Sequence, residues 1–273
     1  MIKTFVHPVT GQTLKLGRKR PKVRYPRLSL RNYLMLALPS PPDAVDYSAS
    51  AEQALSQMYD NDTLGDCVIA AMAHLAGVFA GNAGAALLFT GPEIVALYSA
   101  IGGYVPGDPS TDDGCDVQTA LTYWENNGLL PDASHKIAGW LAVDPSNVEE
   151  IKTAIWLFEN LVFGVELPDA WTSDMPSASG FEWDVAGDPD PAQGHCFAGV
   201  GYSLDAVTID TWGMEGAITL PAIAKYAASS ANGELYAVLS ADSISKAKAK
   251  APNGFDWSQL VADFDSMGGR VSA

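Results

Sequence analysis

The sequence predicts an α+β fold in which a buried helix from the first half of the chain packs against strands from the second half. The nearly all-apolar run of residues 67–80 indicates a helix. Residues 195–202 have the composition of a buried strand, and residues 234–240 indicate the last strand of the core. With 273 residues, 48% of them hydrophobic, the chain is long enough to bury a substantial core.

The predicted helix begins at Cys67, after Thr63, Gly65 and Asp66, which are typical of helix starts. A helix this apolar is buried. Cys67 then lies in its first turn, where free N–H groups and the positive end of the helix dipole stabilise a thiolate, whereas the neighbouring Asp66 disfavours it. Cys67 is therefore a candidate nucleophile. The alternative is a structural cysteine that opens a core helix.

His195 is the histidine best placed to act as a base, because it opens a predicted strand. Residues 207–212 are expected to form the hairpin partner of that strand, which would bring Asp210 beside His195 to orient the imidazole. His74 lies two helical turns, roughly 10 Å, beyond Cys67 and is expected to be a hydrogen-bonded core residue. The remaining histidines, His7 and His135, have no rigid strand to hold them.

Several fragments, in the same order along the chain, resemble the motifs of papain-like cysteine peptidases. The resemblance covers residues 40–242 and rests on residues 41–47, 61–67, 91–98, 113–128, 194–202 and 209–213. It implies a papain-like fold: a helical subdomain that carries the nucleophile helix, packed against an antiparallel sheet or barrel that carries the histidine and its partner.

The same resemblance implies a role for each site residue. Cys67 is the nucleophile, His195 the base and Asp210 the residue that orients it. Asn61 matches the oxyanion-hole position, where its amide would act with the N–H of Cys67. In supporting positions, Gly65 matches the glycine two residues before the nucleophile, and Trp212 is expected to shield the bond between His195 and Asp210.

Four positions depart from the family pattern. Asp210 stands where the family has asparagine, and Asn61 where it has glutamine; both keep the chemistry that the site requires. Val117 and Gln118 stand where the family has two glycines that let an extended substrate pair with the enzyme backbone. The side chains of Val117 and Gln118 would obstruct this pairing, so the sequence disfavours the way in which ordinary endopeptidases bind an extended substrate.

The sequence divides into a basic N-terminal arm (1–38), a papain-like domain (39–242), and a linker with a C-terminal amphipathic extension (243–273). Nine of the 16 basic residues and none of the 32 acidic ones lie in residues 1–42, so this part carries +9 and the remainder −25. This division predicts that the arm docks onto an acidic protein partner or a sister subunit. Nucleic acid is disfavoured because phosphate would repel the acidic remainder.

The sequence indicates neither a cofactor nor a metal site. Two acidic clusters, at 112–116 and 188–190, match no complete metal-binding loop and are expected to be solvated. No apolar run is long enough to span a membrane, and the N-terminus has no apolar segment typical of a signal peptide. The expected location is therefore the cytoplasm, or a virion if a phage encodes the chain.

Two classes of function remain open from the sequence. The first is a cysteine hydrolase, a peptidase or amidase with a peptide or amide substrate, in which Cys67 attacks an acyl carbon. The second is a papain-like fold that serves as a structural or interaction component of a larger assembly, such as a phage particle. The three triad residues favour the first class; the missing glycine pair and the two terminal extensions favour the second.

Overall fold

The structure, a computed structural model, describes residues 3–7, 10–21, 28–34 and 40–240, and also residues 256, 259, 260, 262 and 263. It has the predicted α+β architecture. The helices are α1 (Glu52–Leu55), α2 (Cys67–Asn82), α3 (Gly91–Gly102), α4 (Val117–Asn127), α5 (Val148–Phe158), α6 (Asp169–Ser173) and α7 (Leu220–Tyr226). The strands are β1 (Thr4–Val6), β2 (Thr13–Lys15), β3 (Val45–Asp46), β4 (Ile137–Ala142), β5 (Leu161–Pro168), β6 (Phe181–Trp183), β7 (Pro189–Tyr202), β8 (Ala206–Thr211), β9 (Met214–Thr219) and β10 (Glu234–Ser240).

One eight-stranded sheet organises the described part of the molecule. Its strand order is β4-β10-β5-β7-β8-β9-β6, and β3 also pairs with β7. Neighbouring strands are antiparallel except for β6 and β9, which are parallel. The β7–β8 hairpin and β10 lie where the sequence predicts strands. The long central strand β7 is therefore hydrogen-bonded on both sides, to β5 and to β8.

Helix α2 begins at Cys67, as predicted, and is buried over almost its whole length because apolar residues occupy every side of it. Each large apolar side chain that is fully buried contributes about 1.5–3 kcal/mol. The helix packs against the middle of β7. The first turn of α2, with its thiol, is thereby fixed against the sheet.

Successive residues of β7 pack into two different hydrophobic clusters, since side chains along a strand alternate between faces. Cys196, Ala198 and Val200 belong to the cluster built around α2. Phe197 belongs to the cluster on the other side, which also contains Trp212. The direction of each side chain on β7 thus decides which partner it meets.

Described parts of both terminal extensions pack against the rest of the molecule. Leu14 and Leu16 are buried, and β1 pairs with β2. Leu260 is also buried, and the N–H of Asp256 donates to the carbonyl of Tyr33. Residues 241–255, 257, 258, 261 and 264–273, which include most of the expected linker and C-terminal amphipathic extension, lie outside the described residues. No helix in the described ranges has the length and apolarity needed to cross a membrane.

Candidate active site

Cys67 lies at the first position of α2 and is only 1% exposed. Burial raises the pKa of its thiol to about 12, and the backbone N–H groups of Gly17 and Cys196, which point at the sulfur, oppose this shift. The charge of Asp66 raises the pKa further, as the sequence predicts. In this conformation the thiol therefore keeps its proton at neutral pH.

His195 is fully buried and is held from two directions. Its Nε2 lies 2.7 Å from Oγ1 of Thr211. The indole of Trp212 stacks on the ring, with centroids 4.2 Å apart and planes at 16°. Nδ1 is buried and makes no hydrogen bond. Because nothing offsets its desolvation, burial lowers the pKa of His195 to about 3 and keeps the imidazole neutral.

The structure pairs Asp210 with His74 and not with His195, in contrast to the expected triad. Oδ1 of Asp210 lies 2.9 Å from Nδ1 of His74, whose Nε2 lies 2.9 Å from the carbonyl of Gln57. His74 is thus the bonded core histidine that the sequence predicts. The Asp210 charge raises the pKa of His74, although burial opposes this effect.

The physical reason for this difference is the register of the β7–β8 hairpin. Asp210 lies opposite Ala198, so both side chains point toward α2. His195 is three residues before Ala198 and points to the other face, because facing alternates along a strand. A register shift between Gly199 and Gly201 places Thr211 on the face of His195. Thr211 is consequently the residue that meets the imidazole.

The other predicted site residues lie close to the start of α2. Asn61 is buried, and its Nδ2 donates to the carbonyl of Leu64 at 3.1 Å. Gly65 donates its N–H to Asp112 at 2.9 Å. The sequence predicts that Trp212 shields a bond between His195 and Asp210; it stacks on His195, but the bond of that ring goes to Thr211. No hydrogen bond joins Cys67 to His195, although the N–H of the next residue, Cys196, reaches the thiol.

The arm crosses directly over Cys67, in a cleft between the loop before α4 and strand β7. Cys115 donates its N–H to the carbonyl of Gly17 at 3.0 Å and accepts the N–H of Lys19 at 2.9 Å. On the opposite wall, the N–H of Arg18 donates to the carbonyl of Gly194 at 3.1 Å. An extended backbone is therefore hydrogen-bonded to both walls of the cleft, despite the side chains of Val117 and Gln118.

Glycines make this close approach possible. A Cβ atom on Gly17 would lie 1.7 Å from the carbonyl oxygen of Gly65, and one on Gly114 would lie 1.7 Å from that of Gly17. A Cβ on Gly194 would lie 2.2 Å from the carbonyl oxygen of Arg18. Gly17, Gly114 and Gly194 thus permit the close backbone pairing that the family's glycine pair, absent here at 117 and 118, would permit.

Sequence reasoning missed three parts of this site: Thr211, the seat of the arm, and the Gly114 and Gly194 walls. A signal for Thr211 existed, since it is adjacent to the predicted partner of His195. Backbone contacts at glycines leave no side-chain pattern, so the seat of the arm could not be found in that way. All three cysteines are free and buried, and no group of three metal-ligating side chains in the described ranges could hold a metal ion.

A scan of protein-family models and a search of curated protein sequences find no match. Solved structures do match. Xylellain, a cysteine protease from Xylella fastidiosa, is 14% identical with a TM-score of 0.57, over 82% of this chain and 96% of xylellain. Procathepsin L 3 from the larval midgut of Tenebrio molitor is 12% identical with a TM-score of 0.54, over 81% and 76%. The proform of Amb a 11, a ragweed pollen cysteine protease, is 16% identical with a TM-score of 0.52, over 75% and 67%. The fold of this chain is therefore that of the papain-like cysteine proteases.

Proposed function

We propose that this papain-like fold serves as a cysteine hydrolase for amide or related acyl bonds, and that the described conformation is its latent form. One observation carries the proposal: an extended segment, residues 17–19, lies over the thiol of Cys67 and is hydrogen-bonded to both cleft walls. A cleft that holds an extended backbone against a helix-terminal thiol has the features that acyl transfer to sulfur requires.

In the proposed reaction, departure of the arm allows the imidazole of His195, which faces away from α2 in the described conformation, to turn toward Cys67. The proton of the Cys67 thiol then passes to Nδ1 of His195 as the sulfur attacks the acyl carbon. The N–H of Cys67 and the second amide hydrogen of Asn61 stabilise the oxyanion. His195 then gives the proton to the leaving amine, and water cleaves the thioester with His195 again as base. In the proposed tautomer, the N–H of Nε2 donates to Oγ1 of Thr211, so that Nδ1 is the basic nitrogen.

The arm must leave before this reaction can begin. A thiol with a pKa of about 12 and an imidazole with a pKa of about 3 do not form an ion pair at neutral pH. Because burial is the main cause of both shifts, water that enters the vacated cleft would move both values toward their usual range.

The test is the alkylation of each cysteine by iodoacetamide at pH 7, followed by mass spectrometry. The wild-type chain should react slowly at all three cysteines. Gly17→Ala places a Cβ against Gly65, so the arm cannot seat, and Cys67 should then react far faster than Cys115 or Cys196. Val6→Ala, at an exposed arm residue, is the matched control.

His195→Ala in the Gly17→Ala chain should slow the alkylation of Cys67, because the thiol loses its proton acceptor. Equal and slow alkylation of all three cysteines in a folded Gly17→Ala chain would refute the hydrolase proposal.

The second candidate is an interaction module of a larger assembly without hydrolase activity. The pairing of Asp210 with His74, together with the lack of a hydrogen bond between His195 and Cys67, supports it. Docking of the arm onto an acidic partner or sister subunit, in a cytoplasm or a virion, belongs to this candidate. Size-exclusion chromatography of the wild-type and Gly17→Ala chains in low salt tests it, since loss of an assembly without a gain in alkylation would favour it.

A further inference from the structure

The side chain of Arg18 fills a buried pocket beside the thiol. Its Nε lies 3.0 Å from Oε1 of Glu234, and its Nη2 lies 2.7 Å from the same oxygen and 2.7 Å from the carbonyl of Asn232. The Arg18 side chain is 0% exposed and the Glu234 side chain 2%. Nη1 is buried without a hydrogen bond, so the pocket satisfies two of the three guanidinium nitrogens.

Hydrogen bonds to one oxygen of the Glu234 carboxylate hold it so that the other oxygen faces the guanidinium of Arg18. Its other oxygen, Oε2, accepts hydrogen bonds from Nε2 of Gln118 at 3.1 Å and from the hydroxyl of Tyr236 at 2.9 Å. Oε1 is left for the guanidinium. Gln118 thus helps to orient the carboxylate that Arg18 meets.

A vacated pocket would leave this carboxylate buried without a counter-ion, which is strongly unfavourable. A ligand that enters the open cleft is therefore bound best if it restores the cation. Arginine fits better than lysine, because a guanidinium reaches both Glu234 and the carbonyl of Asn232 through nitrogens at fixed angles. The residue before it must be glycine, since a Cβ at position 17 would meet Gly65.

We propose that the open cleft selects extended peptides that contain a glycine followed by an arginine, and that Glu234 is the residue that determines this specificity. This inference rests on the proposed function, because it assigns the substrate class of the same cleft. The ligand is a separate peptide molecule, and it is expected to bind in the way that the arm of the chain itself binds in the structure.

The test uses the full-length Gly17→Ala chain and a fluorescein-labelled peptide with the sequence of residues 13–20, followed by fluorescence anisotropy. Matched peptides carry lysine or citrulline, the neutral isostere of arginine, in place of the arginine that corresponds to Arg18. The same three peptides are titrated against the Gly17→Ala chain that also carries Glu234→Gln. Circular dichroism checks folding, and Arg18→Lys is the alternative host if Gly17→Ala does not fold.

The arginine peptide should bind about tenfold to a hundredfold more tightly than the citrulline peptide, as expected for one buried charge-assisted contact. Glu234→Gln should remove most of this difference. Equal binding of the arginine and citrulline peptides, an unchanged preference in Glu234→Gln, or no binding by a folded host would each overturn the proposal. The alkylation of Cys67 in the same samples tests the hydrolase proposal separately, because peptide selection does not require a reactive thiol.

Discussion

At the scale of single residues, the partner of His195 is a hydroxyl group where the sequence suggested a carboxylate. Thr211 can hold the ring in place, but it carries no charge that would stabilise an imidazolium. His195 is consequently a neutral imidazole in this structure. The position of Cys67 could be predicted because one helix start determines it, whereas the choice between Asp210 and Thr211 depends on a one-residue register shift between two strands.

Thr211→Val, made in the Gly17→Ala chain, should slow the alkylation of Cys67 about two- to tenfold, because it removes one neutral hydrogen bond that orients the base. Thr211→Ser keeps the hydroxyl and should restore the rate. The pH dependence of alkylation distinguishes orientation from packing. An unchanged rate and pH profile in Thr211→Val would show that Thr211 does not position His195.

Asp210→Ala should lower the free energy of unfolding by about 3–5 kcal/mol, because it leaves His74 buried without its charged partner. Urea denaturation at pH 6 measures this loss. The remaining folded protein, again in the Gly17→Ala chain, should keep its rate of Cys67 alkylation. A stable variant in which the alkylation of Cys67 is slower would instead indicate that Asp210 orients His195, as the sequence suggested.

The depressed pKa of His195 makes stability depend on pH. The folded imidazole stays neutral down to a pH of about 3, whereas the unfolded one takes up a proton near its usual value of about 6.5. Its contribution to stability is therefore fully present above pH 6.5 and is lost as the pH falls toward 3. His195→Gln should reduce the slope of unfolding free energy with pH by up to about 1.4 kcal/mol per unit in this window. Parallel urea curves for both chains between pH 6 and pH 4 would contradict this expectation.

At the scale of elements, the arm is held by main-chain hydrogen bonds to the loop before α4 and to β7. The sequence predicts that the arm docks onto an acidic protein partner or a sister subunit, whereas its residues 17–19 are hydrogen-bonded to the same chain. The place where the arm binds could not be predicted, because Gly17, Gly114 and Gly194 contribute only by having no Cβ atom where two backbones approach closely. The strands and α2 could be predicted because apolar patterning specifies them directly.

Gly194→Ala should loosen the arm without unfolding the sheet, since its Cβ would meet the carbonyl of Arg18 while the β5–β7 ladder keeps its hydrogen bonds. Hydrogen exchange followed by mass spectrometry should show faster exchange in residues 14–20 and unchanged protection in β5 and β10. Ala192→Ser, at an exposed site on the same strand, is the control. Faster exchange throughout the sheet would mean that Gly194 serves the strand and not the arm.

At the scale of the whole molecule, the basic arm faces an acidic body and part of its charge is paired there. Lys3 pairs with Asp190, Lys15 with Asp112, and Arg20 with Glu166. Arg31 also pairs with Asp144, outside the cleft. These pairs are partly exposed, so salt screens them, whereas the buried pair of Arg18 and Glu234 is screened much less.

Raising the salt concentration from 0.05 M to 1 M should therefore increase the alkylation rate of Cys67 in the wild-type chain, because it weakens the surface pairs that help to hold the arm. The Debye length falls to about 3 Å at 1 M salt. The Gly17→Ala chain, with its arm already displaced, should be nearly insensitive to salt. A wild-type rate that does not change would mean that apolar packing and the buried pair alone retain the arm.

The contact between Gly17 and Gly65 has a genetic consequence. Any single-base change in a glycine codon that is not silent specifies either a stop or a residue with a Cβ atom, and the slot over Cys67 has no room for that atom. One point mutation at this codon would thus turn a closed cleft into a permanently open one. Every such variant is therefore expected to leave the thiol of Cys67 uncovered.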